Sequence, residues 1–385
     1  MKVRSASRKQ LFLFTLASTV GLFSFRDASA QSFLVGGFGD GIYSSKLESD
    51  GKMSEPKLAV KQKLPAFFAF HPKLDVLYAV TETGKNDPTA PAAITAYRFD
   101  RKDLATEKTP ALTMINTQKI DGDSPCHVSL DATGEFLAVA NYTSGSIVVF
   151  PVASDGEIKP LSSMIVHNGS GPNKQRQEKA HAHCAFWDPT NRYVLSCDLG
   201  ADKVFVYDLN RATGKLTLVS DMPLAPGSGP RHLAFHPNGK WVFVVNELNM
   251  TLTTAAWDAA SAKLKEIQTV STLPVDAKGD NFSTAEVLVH PSGRFVYSSN
   301  RGHHTIASYR VDEQSGKLTP IAHTASGGKT PRNFRITPKG DFLLTENQES
   351  DSIFSFRVNM ESGKLEPTGF SVKAPAPACI KFFDR

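Results

Sequence analysis

The chain has 385 residues, 41% hydrophobic and 21% charged, with 43 Lys and Arg against 38 Asp and Glu and a formal charge of +5. The first thirty residues hold five of those cations (Lys2, Arg4, Arg8, Lys9, Arg26) and one anion, Asp27, so the remainder carries only +1. The excess basicity therefore belongs to the leading segment, and nucleic acid is excluded as an expected partner.

That leading segment has the form of a cleavable export signal. A basic start is followed by an apolar run from Leu11 to Phe25 and then by Ala28-Ser29-Ala30 before Gln31. The run is too short to span a bilayer comfortably, so no membrane span is expected after cleavage. Ser7-Arg8-Lys9-Gln10-Leu11-Phe12-Leu13 resembles a twin-arginine signal with its second arginine replaced by lysine, which leaves the export route open. The expected division is a signal over residues 1–30 and one domain over 31–385, in the periplasm or outside the cell.

Although 385 residues would suit two or three domains, a repeat argues for one. Gly-Lys-Leu or a close variant returns at Gly51-Lys52-Met53, Lys102-Asp103-Leu104, Gly156-Glu157-Ile158, Gly214-Lys215-Leu216, Ala262-Lys263-Leu264, Gly316-Lys317-Leu318 and Gly363-Lys364-Leu365. The spacing of roughly 50 residues suits one four-stranded blade. The grammar is clearest from Gly229 to Glu247: a strand ends at His236-Pro237, Asn238-Gly239 turns the chain, and Trp241-Val242-Phe243-Val244-Val245 returns it. The hairpin recurs around His71-Pro72, Asp131-Ala132, Asp188-Pro189, His290-Pro291 and Thr337-Pro338. No helical period competes with it after residue 30. The expected fold is all-β, a seven-bladed β-propeller of four-stranded antiparallel blades.

The N-terminal blade lacks its first strand. Ser32 to Phe38 matches a second strand and Ile42 to Leu47 a third, while Pro377-Ala378-Cys379-Ile380-Lys381-Phe382-Phe383 aligns with the first strand that begins at Pro230. The N- and C-terminal strands are thus expected to pair and close the ring, which removes exposed sheet edges. Cys184 and Cys197 stand symmetrically about the turn at Pro189, where they could form a disulfide or pack as two free thiols; Cys126 and Cys379 have no evident partner.

Superposing the repeats on the Pro of the hairpin exposes two columns. Six positions earlier the chain reads Ala66, Cys126, His183, Arg231, Ala285, Arg332 and, by extension, Ala378; ten positions later it reads Glu82, Tyr142, Leu199, Glu247, Arg301 and Gln348. Both columns fall at the open end of the hairpin, on one rim of the ring. A structural position should repeat its residue type, and these do not. They collect cations and a carboxylate from separate blades where a funnel would converge, although a solvated rim would also tolerate Arg and Glu.

The chain resembles the bacterial seven-bladed propeller lactonases, the 6-phosphogluconolactonase family, which is similar to the fungal carboxymuconate-lactonizing enzymes. The resemblance covers essentially all of the chain after residue 30. It is carried by Pro125-Cys126-His127-Val128 with Ala140-Asn141-Tyr142, by His181-Ala182-His183 with Asp198-Leu199-Gly200-Ala201-Asp202, and by Gly229-Pro230-Arg231-His232 with Asn246-Glu247-Leu248. Ser299-Asn300-Arg301-Gly302 and Pro331-Arg332-Asn333-Phe334 extend it, and Ser283-Thr284-Ala285-Glu286 departs from it with Glu where the family pattern has Asp. The resemblance implies a catalytic set of His183, Arg231, Glu247 and Arg301. The same motifs and columns make His127, Tyr142, His181, Arg332 and Gln348 the expected substrate contacts.

Opening a lactone needs an activated water, a stabiliser for the developing oxyanion and a proton for the leaving alkoxide. Glu247, ahead of His183, is the expected base, and Arg231 and Arg301 would hold anionic groups. No Gly-x-Ser-x-Gly elbow displays a nucleophilic serine. His181, His183, His303 and His304 present a zinc alternative, because a His-x-His strand points two imidazoles one way; the family resemblance implies neither metal nor other cofactor. The expected substrate is a small anionic lactone or sugar acid. The alternatives are a muconate-type lactonizing cycloisomerase and a noncatalytic ligand-binding propeller. Nothing marks an exposed apolar face, so a monomer is expected.

Overall fold

The computed structural model describes Met1, residues 30–104 and residues 109–383. The export-signal reading falls almost wholly outside these residues. Among them, no helix is long and apolar enough to cross a membrane.

Seven antiparallel four-stranded sheets form the blades of a ring. Blade 1 combines Pro377–Phe382 with Gln31–Gly37, Gly41–Leu47 and Lys57–Lys61, in that order. Blades 2 to 7 follow along the chain, with innermost strands at Phe68–Phe70, Pro125–Leu130, Phe186–Trp187, Pro230–Phe235, Ser283–Val289 and Pro331–Ile336. Innermost strands of neighbouring blades touch one another, so they line the axis.

The second strand of each blade is buried on both faces. In Trp241–Asn246, Trp241, Phe243 and Val245 pack against blade 6 residues such as Val296 and Tyr309, while Val242 and Val244 pack with blade 4 residues such as Leu195 and Val206. The alternation of a pleated strand thus feeds two inter-blade layers, which explains why these strands read as continuous apolar runs. Each such side chain contributes about 1.5–3 kcal/mol through burial. The outermost strands, such as Lys215–Pro223, show one face to solvent.

The recurrent His-Pro has a defined task. Nδ1 of His236 accepts from the Asn238 amide at 3.1 Å, and Nε2 donates to the Gly293 carbonyl of the next blade at 2.9 Å. Gly239 turns with φ +71°, in the left-handed region that favours glycine. His290 repeats the contact with Gly340 at 2.9 Å. Each such hairpin turn therefore latches its blade to the following one.

The terminal strands close the ring as the repeat implies: Phe33 pairs with Phe382 and Val35 with Ile380. Small helical pieces do occur, at Arg101–Leu104 in one of the Lys-Leu turns and at Gln348–Ser350. Cys126, Cys184, Cys197 and Cys379 are all free and buried, so the Cys184 and Cys197 pair takes the thiol alternative.

Candidate active site

A repeated irregularity aims the side chains. In blades 3, 5 and 7 the pairing of the first two strands slips across Cys126, Arg231 and Arg332, and in blade 6 between Thr284 and Val287. A bulge leaves one residue outside the ladder and re-aims its side chain. In blade 4, His183 lies between the isolated Ala182 and Asp198 bridge and the strand Phe186–Trp187. The column six positions before the turn is thus the bulge column. The other column sits where the second strand ends, directly after buried Asn141, Asp198, Asn246 and Asn347, and at Arg301 after Asn300.

One cavity of about 310 Å³ is lined by Glu82, Tyr142, Arg176, His183, Glu247, Ser283, Arg301 and Arg332. Beneath it, a void of about 10 Å³ is bounded in part by Glu82, Cys126, Arg231 and Arg332. His183, Arg231, Glu247 and Arg301 therefore come together, with Tyr142 and Arg332 beside them. Gln348 is not on this wall; its amide donates to Thr330 O at the Gln348–Ser350 turn. His127 lies deeper, wholly buried between Phe67 and Phe186. His181 stacks on Tyr142 at 4.6 Å behind the wall, between Glu178 and the Tyr142 carbonyl.

Glu247 is the electrostatic centre. Its Oε1 accepts from Arg176 Nη2 at 2.6 Å, while Oε2 lies 2.9 Å from Arg301 Nη2 and 3.1 Å from Arg231 Nε. Burial raises its pKa, but the guanidiniums of Arg301, Arg231 and Arg176 together outweigh burial and hold it at about 2. Two backbone carbonyls of blade 6 fix the cations: Arg231 Nη1 donates to Ala285 O at 2.7 Å and Arg301 Nη2 to Thr284 O at 2.8 Å. The Nε groups of Arg231 and Arg301 are buried without a hydrogen-bond partner among the described residues.

Burial, then the nearby Arg231, His232 and Arg332, pulls the His183 pKa well below the usual imidazole value, so this ring is neutral at neutral pH. Burial and the neighbouring arginines bring Arg231 down to about 10, which leaves it cationic. Burial, opposed by Arg332 and Arg231, pushes Glu82 up to about 7. The wall thus holds two carboxylates of opposite disposition.

Arg176 and Ser283 lie outside the repeat columns. Arg176 comes from the irregular connection between blades 3 and 4, whose length and lack of strands are the available sequence signal. Asp202 anchors that connection: it accepts from Gln177 Nε2, Gly227 N and Gly229 N, each at 2.7 Å. One buried carboxylate thereby ties the residue beside Arg176 to the turn that leads into Arg231. Gly229 itself has φ +61°, and a Cβ there would meet Leu248. Glu286 does not reach the Arg301 wall; it accepts from His232 Nδ1 at 3.0 Å below the cavity. The zinc alternative also loses its geometry: His303 bonds Thr305, and no metal-ligand cluster forms among the described residues.

Comparison with known proteins agrees with this architecture. The family Lactonase, 7-bladed beta-propeller matches residues 32–382. A 6-phosphogluconolactonase of Bacillus subtilis is 38% identical over 347 residues, 90% of this chain and 95% of its own. A 6-phosphogluconolactonase of Formosa agariphila is 33% identical over 276 residues, 70% of this chain and 74% of its own. The solved structure of the periplasmic gluconolactonase of Pseudomonas aeruginosa is 29% identical and superposes with a TM-score of 0.84 over 92% of this chain and 99% of that one. The chain described here belongs to the seven-bladed β-propeller lactonase family.

Proposed function

We propose that this protein is a lactone hydrolase that opens an anionic sugar lactone in the periplasm or outside the cell, without a metal. One observation carries the reading: Arg176, Arg231 and Arg301 surround Glu247 on the wall of a half-enclosed cavity, with Arg332 beside them. Cations outnumber carboxylates there, so the cavity favours an anionic ligand. The activities named for the Bacillus subtilis and Pseudomonas aeruginosa relatives support a sugar lactone, and the periplasmic location of the latter supports export.

His183, Arg231, Glu247 and Arg301 form the catalytic set in this reading. Arg231 and Arg301 are held by backbone carbonyls and by Glu247, so they meet developing negative charge on the lactone carbonyl without reorganising. Glu247 fixes those guanidiniums. Both of its oxygens are engaged and its proton affinity is low, which weighs against it as base. Neutral His183 offers a hydrogen bond to the ring oxygen. Arg332 and Tyr142 contact the rest of the sugar acid; His127 and His181 act from behind the wall, and Gln348 has no direct role.

Acid release from δ- and γ-lactones, with and without phosphate, is the test. The expected result is release from an anionic or polyhydroxylated δ-lactone above the enzyme-free rate. No release from any of them overturns the hydrolase reading and leaves a propeller that binds ligand at this cavity.

A further inference from the structure

Glu82 and Glu247 occupy the same position in their repeats, directly after the second strand of blade 2 and of blade 5. In a ring of seven, these blades are as far apart as two can be, so the carboxylates face the funnel from opposite sides. Their surroundings differ. Glu247 is saturated by three guanidiniums, whereas none of the ion pairs among the described residues includes Glu82. The backbone of Glu82 is fixed, its amide donating to Leu64 O at 3.1 Å and the next residue bonding Ala90 O through Thr83 Oγ1 at 2.6 Å. Its side chain borders both the main cavity and the void above Cys126 and Arg231.

We propose that Glu82, rather than Glu247, takes the proton of the water that attacks the lactone, because it is the cavity-wall carboxylate that no guanidinium occupies and it faces the arginine cluster from across the ring. The inference rests on the hydrolase reading. With the carbonyl oxygen directed to Arg231 and Arg301, the open face of the carbonyl carbon turns toward blade 2. A water there gives one proton to the Glu82 carboxylate while its oxygen bonds to the carbonyl carbon, and the carbonyl electron pair moves to the oxyanion. Collapse of that intermediate breaks the acyl carbon to ring oxygen bond. The proton held by Glu82 then passes to the ring oxygen, which leaves as a hydroxyl, and the product acid loses its proton to solvent. Water and lactone become hydroxy acid, with Glu82 restored.

The titration behaviour of the wall fits this division. Facing Glu82 are Arg332 of blade 7 and Arg231 of blade 5, with Cys126 and Tyr142 on blade 3, neutral His183 on blade 4, and the paired Arg176, Glu247 and Arg301 beyond. Burial wins over Arg332 and Arg231 and places Glu82 at about 7, within reach of neutral pH for both uptake and return of a proton. Two carboxylates pushed apart in this way separate the proton carrier from the fixed anion.

The test is the pH dependence of kcat/KM for hydrolysis of glucono-δ-lactone and its 6-phosphate by the wild type, Glu82→Gln and Glu82→Asp. The expected wild-type profile rises with pH through a limb near 7. Glu82→Gln lowers kcat by about 10²–10⁴-fold with KM changed far less, and loses the limb; Glu82→Asp keeps the limb at reduced kcat. Thermal unfolding provides a readout apart from activity. A carboxyl raised in the folded state stabilises fully below its unfolded pKa, and that contribution is lost as pH rises through about 7. Glu82→Gln should therefore melt above the wild type at pH 8 and show no such advantage at pH 4. Hydrolysis by Glu82→Gln with unchanged kcat and limb overturns Glu82 and spares the hydrolase. Failure of the wild type to hydrolyse these two lactones or any other δ- or γ-lactone of the panel overturns the hydrolase reading, and the base falls with it.

Discussion

Arg176 Nη2 donates to Glu247 Oε1 at 2.6 Å, joining the irregular connection between blades 3 and 4 to the end of a strand in blade 5. The same nitrogen donates to the Tyr142 hydroxyl at 3.1 Å. A connection outside the repeat thereby completes a site that the repeat builds, and its arginine side chain is 41% exposed. Replacing it should cost ligand affinity more than stability, since a pair with one exposed partner contributes little to folding. Arg176→Ala is expected to raise KM for an anionic lactone about 10-fold, equivalent to about 1.4 kcal/mol, with almost no change in Tm. Steady-state kinetics beside thermal melts check the split.

The network round Glu247 also predicts acid sensitivity. Its folded pKa of about 2 lies below the 4.5 of an ordinary glutamate, so its contribution is present above about 4.5 and lost as pH falls toward 2. Glu247→Gln leaves buried guanidiniums without their anion and should destabilise the protein by about 3 kcal/mol at pH 7. The wild type should approach the variant as pH falls from about 4.5 and converge on it only below about pH 2. Urea titrations at several pH values would measure the gap.

Ring closure depends on one C-terminal strand. Ile380 is buried, packs with Phe33, Val35, Phe342 and Leu344, and donates its amide to Glu346 Oε1 at 3.0 Å. Ile380→Ala should cost about 2–4 kcal/mol by opening a cavity at the closure. Val219→Ala, on an exposed outer-strand position, should stay within about 0.5 kcal/mol of the wild type. Denaturant midpoints for the two variants provide the comparison.

All four cysteines are buried thiols. Burial raises the pKa of Cys126, Cys197 and Cys379, which keeps these sulfurs in the unreactive protonated form. A thiol reagent should therefore label almost none of them in the native protein and all four after denaturation. Reductant should leave Tm unchanged. Labelling of a pair only after reduction would mean a disulfide between Cys184 and Cys197.

Much of the rim was legible because blades 3, 5 and 7 repeat the same bulge. Arg231, Arg332 and Cys126 share one slip in strand pairing, so superposing the repeats on a proline brought them to one place. Gln348 shared the other column but left the wall, because the chain turns into a short 3-10 segment there. Arg176 could not be found this way, since the connection that carries it has no counterpart in the other blades. Glu82 stood in the same column as Glu247, and nothing in a linear sequence distinguishes two glutamates at equivalent positions.

Alternation of apolar residues, the Lys-Leu turns and the His-Pro hairpins determined the seven blades and their closure, because strand pairing and turn formation are short-range and repeat with the chain. The tertiary structure alone decided which carboxylate is ringed by guanidiniums and which is not. That difference arises from charges and burial supplied by separate blades and by one irregular connection, and Coulomb interaction and desolvation follow distance in space rather than position along the chain.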